Sequence, residues 1–529
     1  MKETLIILGA GVMQGPVIQI AKELGFFTIV LDGSSSAPNI PIANRFEQID
    51  LNDKEGIESF ARSIQSSTDC LGIMTAGTDF SASVAWTAEK LCLPGIPYEA
   101  ALNASDKSRM RACFKNAGLP SPGFFTITPE DTFDSIPLAF PLVIKPVDNM
   151  GSRGCRRVNN INEFSQAAKS AIGFSRSGKA IVESYMDGPE FSVDAIVYKG
   201  EITICGLADR HIFFPPYFIE MGHTMPTNIE LEKQEIMLET FRYGIHALGL
   251  AGKESVGAAK GDIKLTANGP MIGEIAARLS GGYMSGWTYP YSSGVRPIKA
   301  AIQQAMGKKP DALIPVKNWT CAERAFISIP GKVKQIAINK EQSAISPDYV
   351  NDLFLRVKEG DRVSFPENNV TKCGNVIATA PDREIAVAAA QAAARSVLIR
   401  LDSEDTETRD FLNNFSTSFP PDAFELTDDM RAALLEIPEN EKIGKPHIGL
   451  EFTIIPFPIF TSSNLTDYMG RTVEEALNAT RFLTGLSLPV TNENAENIIK
   501  LGRSFWAALI RGSYQGAVYY MENMGAQIV

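Results

Sequence analysis

The chain has little of what several classes of protein require. Its 529 residues include seven cysteines, at positions 70, 92, 113, 155, 205, 321 and 373, an odd number at irregular spacing with no CxxC pair. That usage argues against a disulfide framework and for reduced thiols in a cytoplasm. Only four histidines accompany them, which speaks against a zinc site. Basic residues are not in excess: 50 Lys and Arg against 61 Asp and Glu leave a net charge of −11. A general nucleic-acid-binding surface is therefore not expected, although a local basic pocket is compatible with this balance. No apolar run approaches the length that spans a bilayer. The opening MKETLIILGAG has an apolar core of only LIIL before its glycines and reads as a first strand rather than a signal peptide. A cytoplasmic protein is expected, with neither nucleic acid nor membrane among its partners.

What is present is ordinary globular sequence. Hydrophobic residues make up 44% and charged residues 21%, enough for real cores, and the length suggests three or four domains. A strand over 4–8, a Gly9-Ala10-Gly11 turn, a helix over 14–24 and a strand ending at Asp32 open the chain as a βαβ unit. An acid about twenty residues past the glycines is the pattern of a dinucleotide-binding fold. The glycines, at 9, 11 and 15, are out of GxGxxG register. The alternative function of an NAD-dependent oxidoreductase rests on this stretch. A strand over 71–75 and a helix over 81–91 continue the α/β pattern to about residue 103.

Next, ASDKSRMRACFKNAGLP predicts a helix over 107–116, capped by Asp106 or Ser105 and ended by Gly118. Lys107 and Arg111 lie four apart on one face, and alone they read as a basic solvated face. The segment PLVIKPVDNMGSRGCRRV puts Lys145 at the end of a buried strand, followed by the loop Gly151, Ser152, Arg153 and Gly154. A lysine beside a flexible loop with free N–H groups suits phosphate oxygens. It is not a Walker A, because no GK[ST] opens a helix. A helix over 161–172 leads to AIVESYMDGPEFSVDAIVYKG, two strands joined across Asp187-Gly188-Pro189. Glu183 ends the first strand and Glu190 begins the second. The aromatic, proline-rich DRHIFFPPYFIEMGHTMP contains His223, which could bind substrate or pack in a loop. An amphipathic helix over 230–248 follows.

The stretch GDIKLTANGPMIGEIAARLSGG at 261–282 reads as a β-hairpin around Asn268-Gly269. Centred there, the pairing sets Asp262 directly opposite Glu274, with Ala276 and Arg278 further along the same face. Two carboxylates across a strand pair repel by roughly 0.2–1 kcal/mol, and a cation between them removes that cost. Hard oxygen ligands with an arginine beyond suit Mg²⁺ on the phosphates of a nucleotide. A solvated hairpin pairing its acids with Lys264 and Arg278 is the competing reading.

Taken in order, DK at 106–107, PLVIKP with its glycine loop, ESYMDGPEFSVD and GDIKL…GEIAARLSGG resemble the ATP-grasp family over about residues 1–400. The carboxylate–amine ligase branch is the most similar, with biotin carboxylase more distant. The resemblance implies an α/β, multi-domain α+β architecture. A Rossmann-like domain preceding the ATP-grasp domain would span 1–104, and an ATP-grasp domain of two α+β subdomains 105–315, its lid about 118–190. A small biotin-carboxylase-like closing domain would span 316–401. It further implies ATP and Mg²⁺ as cofactors. Lys107 and Lys145 would hold ATP phosphates under a lid formed by Gly151, Ser152, Arg153 and Gly154. Adenine would lie against Glu183, Ser184, Tyr185 and Met186, and Glu190 would bind the ribose hydroxyls. Asp262 and Glu274 would hold Mg²⁺, and Arg278 would stabilise the transferred phosphoryl group. His223, Arg278, Gly281 and Gly282 would meet the substrate.

The implied activity joins a carboxylate to an amine through an acyl phosphate, with a small-molecule acid and amine as partners and a homodimer as an option. The absence of a recognisable Ser/His/Asp or Cys/His set agrees with such chemistry. An ATP-dependent carboxylase and a non-catalytic nucleotide-binding protein are the other readings. Many family members carry Asn two residues after the metal Glu, where this chain has Ala276, so a second Mg²⁺ lacks that ligand. From 402 the resemblance stops: an acidic linker over 402–422 precedes a mixed or helical region to 529, with helices near 473–483, 495–511 and 516–524. TIIPFPIF and Trp506, Tyr514, Tyr519 and Tyr520 would need burial on the core, on another subunit or over the active site.

Overall fold

The computed structural model describes residues 2–131, 135–339, 347–414, 419–439, 451–492 and 498–524. Contacts divide the chain into two compact units, Met1–Glu323 with Thr379–Val387, and Arg324–Ala378 with Ala388–Val529. The architecture is multi-domain α/β, as expected. No helix among the described residues is long and apolar enough to cross a membrane.

The first unit opens with a parallel sheet in the order Arg45–Gln48, Phe27–Asp32, Glu3–Leu8, Cys70–Met74. Fully buried runs such as Leu5–Leu8 are what a sheet covered on both faces demands. The first turn is not built for a dinucleotide. The Gln14 side chain fills its concavity, 3.1–3.3 Å from where a Cβ on Gly9 would lie, and donates to the Ala76 carbonyl at 2.5 Å. Asp32 accepts the Ala10 and Ser34 N–H groups, both at 2.8 Å, so both its oxygens are engaged in the turn. The oxidoreductase reading loses its footing here.

The helix Lys107–Asn116 is capped by Asp106, whose side chain accepts from the Ser108 and Arg109 N–H groups. It leads to an antiparallel sheet in the order Phe124–Ile127, Ala180–Ser184, Leu142–Pro146, Arg156–Val158. The helix Ile161–Phe174 covers it with Phe164, Ala167 and Ala171. Residues 132–134, inside the expected lid, lie outside the described residues.

A larger antiparallel sheet follows in the order Gly269–Ala276, Val256–Thr266, Glu190–Tyr198, Glu201–Phe213, Ile219–Met225. Phe241 and Ile245 of the helix Leu231–Ala247 pack on it together with Phe114. The first strand pair is the expected hairpin, with one difference in how its register arises. Thr266 pairs with Gly269 at the tip, which alone would set Asp262 against Gly273. A bulge between Asp262 and Ile263 inserts Gly273 and restores Asp262 opposite Glu274.

In the second unit, Gly331–Ile338 pairs with Val397–Leu401 and with Arg362–Val363, and Val350–Leu355 pairs with the strand that starts at Gly374. The expected linker over 402–422 contains a helix, Thr406–Leu412, capped by Asp405; its residues 415–418 lie outside the described ones. The helix expected over 473–483 is Val473–Thr484, with a complete Thr472/Glu475 capping box. The helix expected over 495–511 is instead a strand, Ile498–Leu501, then Arg503–Asn523, which also takes in the helix expected over 516–524 and is broken at Ser513; residues 495–497 lie outside the described ones. Its aromatics are buried within the unit itself: Phe424, Phe457, Phe460, Phe505 and Trp506 form one cluster, and Tyr514 and Tyr519 are buried nearby.

The turn Asp187-Gly188-Pro189 docks on the hairpin tip. Gly188 has φ 135°, and a Cβ there would lie 2.2 Å from the Leu265 carbonyl oxygen. Gly188→Ala should therefore destabilise the protein by about 1–3 kcal/mol, lowering Tm by several degrees in calorimetry. An unchanged Tm would mean that this turn does not rest on the hairpin.

Candidate functional site

The hairpin gathers charge from three other elements. Asp262 is buried, with the Ser192 hydroxyl donating to it at 2.7 Å, Lys260 in direct contact and the Arg210 guanidinium at 3.1 Å. Burial alone would raise its carboxyl; Arg210 and Lys260 outweigh that and hold it well below the usual range. Glu274 faces Lys107 at 3.5 Å. Burial again opposes ionisation, and Lys107 with Lys260 keeps Glu274 low. Lys107, the first residue of its capped helix, also donates to the Asn149 carbonyl at 2.8 Å. Desolvation acts against its charge, yet Glu274 and Asp79 leave it raised.

One helical turn on, Arg111 is 1% exposed, so the expectation of a solvated basic face is corrected for both residues. Its guanidinium donates to Glu183 at 2.7 and 3.3 Å and to the carbonyls of Ile272 and Gly273 at 2.7 and 2.9 Å. It thus ties the bulge beside Glu274 to the small antiparallel sheet. Lys145 reaches the same Glu183 at 2.8 Å. Burial pushes Glu183 up, but Arg111 and Lys145 together bring it down to about 2.

The glycine loop begins where Lys107 holds Asn149, and Gly151, Ser152 and Gly154 all take positive φ, 68°, 58° and 66°. Arg153 donates to Asn149 and Met150 at 3.3 Å. Of the stretch from Glu183 to Met186, the Glu183 carboxylate is committed to Arg111 and Lys145. The Ser184 and Tyr185 N–H groups go to the Gly123 and Pro141 carbonyls. An adenine contact here must use the other backbone groups. Glu190 is clamped by Arg210 and by Lys264 at 3.6 Å.

Arg278 makes a separate set of bonds, to the Thr78 carbonyl at 3.1 Å and the Leu279 carbonyl at 3.2 Å. The Gly77 N–H donates to Leu279 at 3.1 Å, so the first sheet's loops brace the segment on one side. On the other, the buried Asp194 accepts the Ser280 N–H at 3.2 Å and the Ser280 hydroxyl at 2.5 Å. Gly282, at φ 59°, brings its backbone so close to Glu220 that a Cβ would lie 2.9 Å from a carboxylate oxygen and 3.3 Å from His223. His223 is 2% exposed, 3.2 Å from Glu323 and 3.7 Å from Glu220. Arg210 links this corner to the hairpin, because it also bonds Glu220 at 2.8 Å.

The expected residues thus fall into neighbouring groups: Lys107 with Glu274, Lys145 with Glu183, Glu190 with Asp262 through Arg210, and Arg278, Gly281 and Gly282 on a braced segment reaching His223. Arg111 enters the site although its spacing predicts only a solvated face, and Lys260, Arg210, Glu220, Asp194 and Ser280 join it without a place among the expected site residues. Lys260 had a legible signal, two residues before Asp262 and so on its face. Arg210 has none, because its partners Glu190, Glu220 and Asp262 lie on other strands. Among the described residues, no three His, Cys, Asp or Glu side chains form a group able to hold a metal alone. Two opposed carboxylates with cations around them fit Mg²⁺ that takes its remaining oxygens from phosphates.

The comparisons bear on this arrangement. Residues 138–286 match the family model of the ATP-grasp domain, and residues 325–402 that of the L-amino acid ligase C-terminal domain 2. The fold is similar to the crystal structure of the L-amino acid ligase from Bacillus licheniformis, with a TM-score of 0.67 and 20% identity over 76% of this chain and 99% of that one. An uncharacterized protein of Sinorhizobium fredii, y4rH, is 23% identical over 72% of this chain and 79% of its own. The D-alanine–D-alanine ligase of Marinobacter nauticus is 31% identical over 28% of this chain. The chain spans about half the length of the D-alanine–D-alanine ligases it matches.

The Asp194 carboxyl carries a cost. Burial pushes it up to about 6, against the pull of Ser280, Lys260 and Arg278; Tyr289 and Cys205 are its other titratable neighbours. The folded state then binds this proton more tightly than the unfolded chain. Its contribution is full below about pH 4 and lost as pH rises through 6. Asp194→Asn should raise stability near pH 7.5 by up to about 2–3 kcal/mol, shrinking to about 1 kcal/mol near pH 4.5. Urea unfolding at both pH values checks this; an equal effect at both would mean that no titration is involved.

Proposed function

Because the chain belongs to the ATP-grasp superfamily of ATP- and Mg²⁺-dependent ligases, we propose that it joins an amino acid, through its carboxylate, to an amine. The observation that carries this is the ring of cations around two opposed carboxylates, Asp262 and Glu274, with Arg278 braced on the segment that follows the hairpin. Asp262 and Glu274 would hold Mg²⁺, which would supply charge neutralisation to the phosphates of ATP.

Lys107 and Lys145 bind the phosphates, and the Gly151–Gly154 loop closes over them. Lys145 can be lent to a phosphate because Arg111 keeps its two-pronged hold on Glu183, so no buried carboxylate is stranded. Glu190 takes the ribose, and the stretch from Glu183 to Met186 takes the adenine. The substrate carboxylate oxygen attacks the γ-phosphorus and ADP leaves; the amine then attacks the acyl carbon and phosphate leaves. Arg278 faces the charge that develops in the first step, and the closed loop keeps water from the acyl phosphate.

The amino-acid reading rests on the corner beyond Arg278. Glu220, shared between Arg210 and His223, offers a carboxylate to an ammonium group there. The Gly281 and Gly282 backbone suits a substrate carboxylate.

Hydroxylamine tests the reading. With ATP, Mg²⁺ and a panel of amino acids but no amine, it should trap an acyl phosphate as a hydroxamate. Arg278→Ala should reduce trapping by about 100-fold or more. ATP hydrolysis that strictly requires bicarbonate and no organic acid would overturn the ligase reading in favour of carboxylation. Lys145→Ala should shrink the rise in Tm that Mg-ATP produces on the wild type. NAD should produce no such rise; stabilisation by NAD alone would reverse the ranking.

A further inference from the structure

The hairpin contains a cation that the metal reading does not use. Lys260 precedes Asp262 by two residues and shares its face, and its direct cross-strand partner is Ala276. Its side chain is 15% exposed and its ammonium contacts Asp262. Lys260 therefore serves Asp262 from the side of the hairpin where residue 276 offers only a methyl group.

We propose that the Lys260 ammonium stands in for a second divalent cation, so that the site takes one Mg²⁺ with each nucleotide. The inference rests on the reading of Asp262 and Glu274 as the metal acids. Two physical arguments carry it. Mg²⁺ demands a nearly complete shell of oxygens, and Ala276 supplies none where a second ion would draw on this strand. A second dication would also sit beside an ammonium already touching the same carboxylate, and the two would repel in a poorly solvated site. The remaining cations cannot take over this role, since Lys107 lies on Glu274 and the backbone of the phosphate loop. Arg210 is shared among Glu190, Glu220 and Asp262. Lys260 is a compact charge on a flexible stem, able to follow the acids as the nucleotide enters.

The test counts ions rather than turnover. Full-length protein is saturated with the β,γ-imido analogue of ATP and titrated with Mn²⁺, and bound manganese is measured by equilibrium dialysis and electron paramagnetic resonance. One ion per chain is expected in the wild type. Two are expected in Lys260→Met/Ala276→Asn, which removes the ammonium and supplies an oxygen ligand. Two ions in the wild type, or one in a folded double variant, would overturn the inference alone. No manganese in the wild type, or one ion held equally well by Glu274→Gln, would overturn the metal reading of Asp262 and Glu274 and the inference with it. The wild-type count stands as a test even where the double variant fails to fold.

Discussion

Buried charge has to be paired, and in the first unit this constraint decides where the candidate site lies. Asp262 and Glu274 face each other across a strand pair, a juxtaposition that is unfavourable in water and worse when desolvated. The fold places them there through a glycine bulge and then surrounds them with Lys107, Lys260 and Arg210. Neighbouring acids are treated in the same way, Glu183 between Arg111 and Lys145, and Glu190 between Arg210 and Lys264. Glu183, Glu190 and Asp262 each touch two cations, so each keeps one if the other turns to an anion. The arrangement is prepared for an anion, since cations in excess of what any single carboxylate needs are held in place by those carboxylates.

The parts legible in the sequence were those set by short-range rules. Asp106 capping a helix over 107–116, the alternation along the hairpin and the glycine-bearing loop after Lys145 each depend on residues within about a dozen positions. The Asp262–Glu274 pair follows from a hairpin centred on Asn268, but the turn is one residue tighter and the bulge at Gly273 supplies the missing residue. Arg111 shows where such rules stop. Its spacing from Lys107 gave the face, but nothing local says that Glu183, 72 residues away, and the carbonyl of Gly273, 162 residues away, meet it there. The dinucleotide pattern failed for a similar reason, because the side chain that fills the glycine turn, Gln14, is anchored on Ala76.

The second unit shows a different limit. Hydrophobicity alone required burial of TIIPFPIF and the C-terminal aromatics, without saying against what. They bury one another: Trp506 donates to the Ile455 carbonyl at 2.9 Å, and the Tyr514 hydroxyl accepts the Ile399 N–H at 2.9 Å. Aromatic edges packed at centroid distances of 5.3–5.8 Å complete the cluster. Ile454, Phe457, Phe460 and Trp506 are accounted for by a core of the unit's own, while Ile459 stays exposed.

Arg278 poses the hardest electrostatic problem, and Asp194 is the answer the fold gives. In the proposed ligase reaction this guanidinium faces developing negative charge and has to stay put, and backbone groups of the Gly77–Thr78 loop hold one side of its segment. Neutral side chains could hold the other side with less penalty, since an ionised, fully buried carboxylate lowers stability at neutral pH. A carboxylate, however, accepts the Ser280 N–H and hydroxyl together, which a single hydroxyl partner cannot do with comparable strength. Its charge also partly offsets those of Arg278 and Lys260, which pull on it in turn. The acid is therefore best understood as a stability cost retained for positioning, in a segment where the arginine's own charge makes a neutral partner the poorer choice.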